Sequence, residues 1–295
     1  MENIKEPSPS SSPFLRERTR VKVGVSGALA PDDVLSIITF LSDFGEQDWF
    51  VAAVKGEILK INPRLRIIDI THCLPSFDIH SAAFLLKSVY KNFPEGTVHL
   101  AVVDPGVGSK RKPIIVESDG YYFVGPDNGI FSYIYNDRSK VYEIDIKKKL
   151  SSTFHARDIF GPIAARLSNG ERPSNLGRLI KGYTKFGFPK IKRKKNIIHG
   201  EIVYIDHFGN LITNIPNNME IDYFILPPRR VKTLIKVKKF YGAGKSGELI
   251  AVKGSSGYYE IASNKKSARE ILGAKRGMVI YGGLKRFLHY LNHRT

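Results

Sequence analysis

The chain has 295 residues, 42% of them hydrophobic, and 46 lysines and arginines against 28 acids give a formal charge of +18. That size supports one large or two ordinary cores, and the charge leaves nucleic acid or an anionic surface open as partners. The single cysteine, Cys73, excludes an internal disulfide and a CxxC-type zinc site.

No apolar run reaches the roughly 18 residues that span a bilayer. The first 30 residues also lack the continuous apolar core of a secretory signal. A soluble, cytoplasmic protein with no membrane partner is the expectation. Residues 1–36 read as a disordered tail, because "EPSPSSSP" is Ser/Pro-rich and the charged stretch after it shows no periodicity.

From Val34 the pattern alternates. "VLSIITFL" reads as a strand, and "WFVAAVKGEILKIN" places Val51, Val54, Ile58 and Ile61 at helical spacing. "RIIDIT" is a second strand, "DIHSAAFLLKSVYKNF" a second helix and "TVHLAVV" a third strand. This order predicts a mainly parallel sheet with helices packed on it. "PIIVESDGYYFVGP" predicts a hairpin turning at Asp119-Gly120. "TFHARDIFGPIAARLSNG" reads as a loop opening a helix.

The run "KIKRKK" (190–195) then breaks the pattern, and such short charge runs are usually solvated. Beyond it come short strands in "GEIVYIDHFGNLITNI", "RRVKTLIKVKKFY", "GELIAVKGSSGYYEIAS" and "GMVIYGG", spaced by turn signals, which predict a small barrel or sandwich. The expected organisation is an α/β N-terminal domain with a mainly parallel sheet over 37–190, a basic linker over 191–196 and an all-β, barrel-like C-terminal domain over 197–295.

Asp43 and Asp104 each follow a predicted parallel strand, where open α/β sheets bind ligands. Each has an ordinary alternative: Asp43 can cap the next helix, and "DPG" is a common turn sequence. "DFG" resembles the kinase metal loop, but the HRD and Gly-rich partners are missing. Further polar clusters lie in "TFHARD", "IDHFGN" and "GSSGYYEIA". A lone histidine such as His155 or His207 is more often structural than catalytic. No HxH or HExxH spacing occurs, so no metal site is expected, and GxGxxG and GxxxxGK[ST] are absent as well. The residues alone describe an α/β enzyme with an acidic rim.

Taken in order, "FLSDFGEQD", "FPEGTVHLAVVDPGVGS", "GPDNG", "TFHARD", "IDHFGN" and "GSSGYYEIA" resemble the adenosine-forming S-adenosyl-L-methionine hydrolases, the SAM hydroxide adenosyltransferases. These are relatives of the SAM-dependent fluorinase and chlorinase. The resemblance runs from about Ile37 into the C-terminal region. It implies an α/β domain joined to a β-barrel-like domain, and homotrimers that hold S-adenosyl-L-methionine or adenosine between subunits. It implies no cofactor, since S-adenosyl-L-methionine is the substrate.

The hydrolase pattern of an Asp, an Arg seven residues on and a His in "TFH" falls on Asp104, Arg111 and His155 as catalytic residues. The halogenases lack the acid. A carboxylate about 4 Å from a halide costs roughly 4 kcal/mol at an effective dielectric near 20, whereas it can orient a water for attack. The implied reaction is in-line attack of water or hydroxide at the ribose 5′ carbon, with neutral methionine leaving. The choice of base between Asp104 and His155 stays open.

Among substrate contacts, the resemblance gives Asp43 the ribose hydroxyls and Phe77 a wall beside the ribose and sulfonium. It gives Asp206 the methionine ammonium, and Phe208, Asn210 and Tyr241 the adenine slot. Ser255 and Ser256 receive the methionine carboxylate, with Glu260 on the strand that follows; at Ser256 the halogenases carry an arginine. Asp48 also matches, with a first-turn helix acid as its alternative. Two further readings are a halogenase, and a nucleic-acid-binding protein on the same fold in which Phe186 and Phe188 stack bases. The basic run matches no nucleic-acid motif, which weighs against the second.

Overall fold

The computed structural model describes residues 36–146, 151–194, 196–226 and 233–285. The tail expected over 1–36 lies, except for Ser36, outside them, as does the start of "RRVKTLIKVKKFY".

The first half forms a seven-stranded sheet in the order β2-β1-β3-β5-β4-β6-β7. Its strands are β1 (Ile37–Ser42), β2 (Arg66–Thr71), β3 (Val98–Val102), β4 (Pro113–Ser118), β5 (Tyr121–Pro126), β6 (Lys140–Ile144) and β7 (Gly177–Ile180). β2, β1, β3 and β5 run parallel, and β4, β6 and β7 extend the sheet antiparallel. The expected mainly parallel sheet is therefore present, with an antiparallel flank. Asp119 and Gly120 turn the β4–β5 hairpin with φ of 50° and 81°, the left-handed pair that a tight hairpin turn requires.

Helices α1 (Phe50–Ile61) and α3 (Gly161–Ser168) cover one face of this sheet, and α2 (Ile79–Val89) covers the other. α4 (Pro173–Leu176) is a single turn before β7. Two-sided burial explains why β1 and β3 are mostly apolar, with Thr39, Ser42 and His99 as their only polar residues. Ile38, Phe40, Val98, Leu100 and Val102 pack toward α1 and α3, while Leu41, Ala101 and Val103 pack toward α2. β1 and β3 are neighbours in register, Ser42 opposite Val102. Their carboxyl ends therefore open side by side, and Asp43 and Asp104 follow them.

In the second half, β9 (Ile197–Ile205), β10 (Leu211–Pro216), β14 (Tyr258–Ser263), β13 (Leu249–Lys253), β12 (Thr233–Val237), β11 (Tyr223–Leu226) and β15 (Val279–Gly283) close into a seven-stranded barrel through the β10–β9 pairing. β8 (Lys192–Lys194), inside the basic run, adds an exposed edge strand to β9, and α5 (Ala268–Leu272) packs against β14. The barrel encloses Ile202, Leu211, Phe224, Ile235, Ala251, Tyr259 and Ile261.

The barrel rests on α2. Phe84 stacks on Tyr204 with centroids 5.4 Å apart. Lys87 Nζ lies 3.1 Å from the Tyr258 hydroxyl and 4.4 Å from the centroid of Phe188. Arg276 from the barrel meets Asp78, the α2 N-cap, at 3.4 Å.

Candidate active site

A cleft of about 440 Å³ opens at the carboxyl ends of β1 and β3. Asp43, Phe77, Asp104 and His155 line it together with Ser76, Thr153, Val107 and the aromatics Phe44, Phe50 and Phe154. Four of the expected residues therefore meet in one place.

Arg111 sits behind Asp104. Its Nε donates to Asp104 Oδ1 at 2.9 Å, its Nη2 donates to Oδ2, and Nη2 also lies 2.7 Å from His155 Nδ1. Both side chains of the ion pair are almost fully buried, at 6% exposure for Asp104 and 9% for Arg111, and the guanidinium lies 5.1 Å from the Phe160 ring centroid. A bidentate fork is the strongest geometry available to this pair.

Local backbone brings the three side chains together. Gly108 has φ +77°, and a Cβ there would stand 2.3 Å from the Ser152 carbonyl oxygen. Only glycine lets the loop between Asp104 and Arg111 lie so close to the segment that carries Thr153 and His155. Directly after His155 the chain winds through one π-helical stretch, Ala156–Phe160, before α3. Such wide turns concentrate at functional sites.

The protonation pattern follows from donor chemistry. A guanidinium has no acceptor, so His155 Nδ1 must be the acceptor in its contact with Arg111. The ring is then neutral with its proton on Nε2. Burial, and next the Arg111 charge, hold the His155 pKa below its usual 6.5 against the opposing pull of Asp104 and Asp158. With Nδ1 occupied by Arg111, the proton of the neutral ring is on Nε2.

Asp43 is held from another direction: its Oδ2 accepts the Phe77 backbone N–H at 2.8 Å. Phe77 has φ 67° and is 68% exposed, so its ring stands over the cleft with little protein around it. Asp48 is exposed and does not line the cleft. It precedes the N-cap Trp49, and the first turn of α1 carries no acid, so its helix-acid alternative is not realised.

The remaining expected residues gather on the barrel. Asp206 accepts from the Asn210 backbone N–H and side-chain amide, both at 2.8 Å, across a turn whose Gly209 has φ +80°. Phe208 projects from this turn at 75% exposure. Tyr241 donates to Glu260 Oε2 at 2.7 Å. Glu260 is buried, which raises its pKa with the Asp206 charge adding and the Tyr241 bond opposing. Ser255 and Ser256 form the β13–β14 turn, and Ser256 Oγ is buried with no partner among the described residues. Among the described residues no barrel residue lines the cleft at β1 and β3, so the expected site residues fall into two groups.

Ser76, Thr153, Phe44, Phe50 and Phe154 also line the cleft without standing out in the sequence, although "FLSDFGEQD" and "TFHARD" contain three of them and Ser76 directly precedes Phe77. Phe186 and Phe188, considered above as base-stacking groups, are otherwise engaged. Phe186 packs on His80 at 4.1 Å and Phe188 on Tyr133 at 5.1 Å and Tyr258 at 5.3 Å, between centroids. Among the described residues no group of three or more His, Cys, Asp or Glu is placed to hold a metal, and no helix is long and apolar enough to cross a membrane.

The chain is similar to known proteins over most of its length. The SAM hydroxide adenosyltransferase N-terminal domain matches residues 38–177 and the C-terminal domain of the same family residues 200–281. The (R)-S-adenosyl-L-methionine hydrolase of Methanocaldococcus jannaschii is 36% identical, over 83% of this chain and 95% of that protein. The protein of the same name from Thermus thermophilus is 34% identical, over 82% and 98%. A fluorinase from an Actinoplanes species is 26% identical, over 83% and 96%. Among solved structures, an uncharacterized conserved protein from Thermotoga maritima superposes with a TM-score of 0.78 at 34% identity, covering 84% of this chain and all of that one.

Proposed function

This chain belongs to the SAM hydroxide adenosyltransferase family, and we propose that it hydrolyses S-adenosyl-L-methionine to adenosine and L-methionine. The observation that carries the reading is the hydrogen-bonded Asp104–Arg111–His155 cluster, which presents Asp104 and His155 to the cleft. Fluorinase relatives are the more distant ones, and a carboxylate lining the cleft opposes a halide.

Water attacks the ribose 5′ carbon in line with the carbon–sulfur bond. A C–O bond forms, the C–S electron pair returns to sulfur, and the sulfonium leaves as a neutral thioether, so no general acid is required. The attacking water must lose one proton. Arg111 and the Nε2–H of His155 are donors only, so Asp104 alone in the cluster has lone pairs for it. Asp104 therefore both aims the water and accepts its proton, while Arg111 sets the carboxylate plane. Positioned proton transfer contributes about 10²- to 10⁴-fold, and alignment in an apolar cleft supplies more.

Asp43 takes the ribose hydroxyls, and Phe77 walls the sugar and sulfonium. Asp206, Phe208, Asn210, Tyr241, Ser255, Ser256 and Glu260 hold adenine and methionine from the barrel of an adjacent subunit in a cytoplasmic homotrimer. Asp48 lies at the rim. No cofactor takes part. The two halves act as domains over 37–190 and 197–295. The relatives' names specify the (R) form of the substrate, and the same sulfonium epimer is the proposed substrate here.

The test is incubation with each epimer of S-adenosyl-L-methionine and chromatographic separation of adenosine and methionine. Equimolar release of both from the (R) epimer is expected. Near-normal turnover by Asp104→Ala would overturn the mechanism.

A further inference from the structure

We propose that His72 is a positioning residue for Asp43, holding the loop that carries this acid so that its carboxylate meets the ribose hydroxyls. The proposal rests on the reading of Asp43 as the ribose acid.

His72 lies just past the end of β2, is 3% exposed, and does not line the cleft. A buried polar ring is costly unless its atoms are used. Here Nδ1 and the backbone carbonyl are used on one loop, while Nε2 makes no hydrogen bond among the described residues. His72 Nδ1 and Ser42 Oγ are 2.7 Å apart, and the His72 carbonyl accepts the Gly45 N–H at 2.8 Å. Ser42 and Gly45 flank the Asp43–Phe44 pair, so a single residue grips both ends of the shortest segment containing the acid. Ser42 Oγ also lies 3.4 Å from the Phe44 N–H.

The ring itself is set from outside. Nε2 lies 3.1 Å from Asp69 Oδ1, off the line of a good hydrogen bond, and Asp69 is paired at 2.5 Å with Lys55 of α1. Phe40 packs edge-on against the imidazole with centroids 4.7 Å apart. Five residues after His72, the same connection supplies the Phe77 N–H that Asp43 Oδ2 accepts. The turns 42–45 and 72–77 are thus closed on each other by contacts between Ser42 and His72, Gly45 and His72, and Asp43 and Phe77. Phe77 has φ 67°, a conformation unfavourable for a bulky side chain, which persists only where its surroundings impose it. Leucine at position 72 would fill the space but release Ser42, leaving only the Phe77 N–H and the Gly45 backbone bond to set the Asp43 carboxylate.

The experiment measures binding of adenosine and of 2′,3′-dideoxyadenosine, which lacks the diol, by calorimetry to the full chain. Wild type is expected to prefer adenosine, and Asp43→Asn to lose that preference. His72→Leu is expected to reduce the preference at least tenfold while leaving dideoxyadenosine affinity within about twofold of wild type. His72→Asn, whose amide can still reach Ser42, should recover most of it. Ser42→Ala cuts the same contact from the other side and should match His72→Leu, which keeps the test available if the leucine variant folds poorly. A lowered melting temperature with an unchanged preference in His72→Leu and Ser42→Ala would overturn the role of His72 alone. An unchanged preference in Asp43→Asn would remove Asp43 as the ribose acid, and the proposal with it.

Discussion

Arg111 reaches Asp104 side-on, and the Nη2 that completes this fork also serves the imidazole of His155 at 2.7 Å. One guanidinium edge therefore sets the orientation of both neighbours. Removing it leaves a buried carboxylate uncompensated, a change that typically costs 3–5 kcal/mol. Arg111→Ala is expected to lower both stability and adenosine release, the latter about 10²- to 10⁴-fold. Arg111→Lys should recover little, because an ammonium cannot form the planar fork. The Asp104→Ala, Arg111→Ala double variant should be no slower than the worse single one, since residues acting as a unit are not additive. Single-turnover adenosine release decides this, and fully multiplicative losses would show that the two act separately.

The pH dependence follows from the His155 tautomer. Protonation makes Nδ1 a donor facing Arg111, which breaks the contact. Burial and the Arg111 charge hold the His155 pKa below 6.5, so the working neutral form persists as pH falls through 6.5 and is lost only below it. Turnover should be flat from neutral pH down past 6.5 before its acid limb. In Arg111→Met the cation is gone, and the His155 ring should titrate at higher pH. NMR titration of the ring in both proteins checks the sign, and a downward shift would contradict the cause assigned here.

Much of this frame is readable from residue patterns, for reasons that also mark the limits. β1 and β3 are mostly apolar because helices cover both their faces, and the acids after them mark the rim. The Asp119-Gly120 hairpin announces itself through residues that tolerate positive φ. β6 and β7 escape notice because they are short and flank the sheet, where alternation is weak. The His72–Ser42 contact depends on how β1 and β2 are registered, with an irregularity between Phe40 and Leu41 that pairs Leu41 with Thr71. Nothing in either stretch alone reveals that. His155 becomes a donor only once Arg111, 44 residues away, is seen against its Nδ1.

His99 is expected to make the protein acid-labile. It is the second residue of β3, with Nδ1 2.7 Å from Thr39 Oγ1, Nε2 without a partner among the described residues, and Tyr90, Tyr121 and Phe123 packed around the ring. Burial lowers its pKa from 6.5 to about 3. Above 6.5 both folded and unfolded chains hold a neutral ring, and pH has no leverage through it. Between 6.5 and about 3 only the unfolded chain takes the proton, so stability falls by up to about 1.4 kcal/mol per pH unit. Urea unfolding at pH 7, 6 and 5 should show this loss in wild type and a shallower one in His99→Leu. Equal slopes would mean the ring is reached by protons while folded.

Gly209 is expected to be irreplaceable in the Asp206–Asn210 turn. A Cβ there would stand 2.2 Å from Ser267 Oγ and 3.3 Å from the Ser267 Cα, at a φ of +80°. Backbone strain of this kind costs of order 1–3 kcal/mol. Gly209→Ala should therefore lower the melting temperature and weaken adenosine binding together, whereas Gly257→Ala shares the positive φ but meets open space and should lose stability alone.

The separation of the site residues into two groups leads to a complementation experiment. Among the described residues the cleft lining draws on the parallel-sheet half, while Asp206, Tyr241 and Glu260 sit on the barrel. If a working site joins the cleft of one subunit to the barrel of another, Asp104→Ala and Asp206→Ala damage different halves of it. Each pure variant should be nearly inactive. When the two are mixed and allowed to exchange subunits, some sites pair the intact cleft of the Asp206→Ala chain with the intact barrel of the Asp104→Ala chain. Random exchange of equal amounts makes roughly a quarter of the sites whole in a closed ring of like interfaces. About that fraction of wild-type adenosine release is expected, with light scattering giving a mass three times the 33.1 kDa of one chain. If cleft and barrel of the same chain formed the site, mixing would restore nothing, because every chain carries one damaged half.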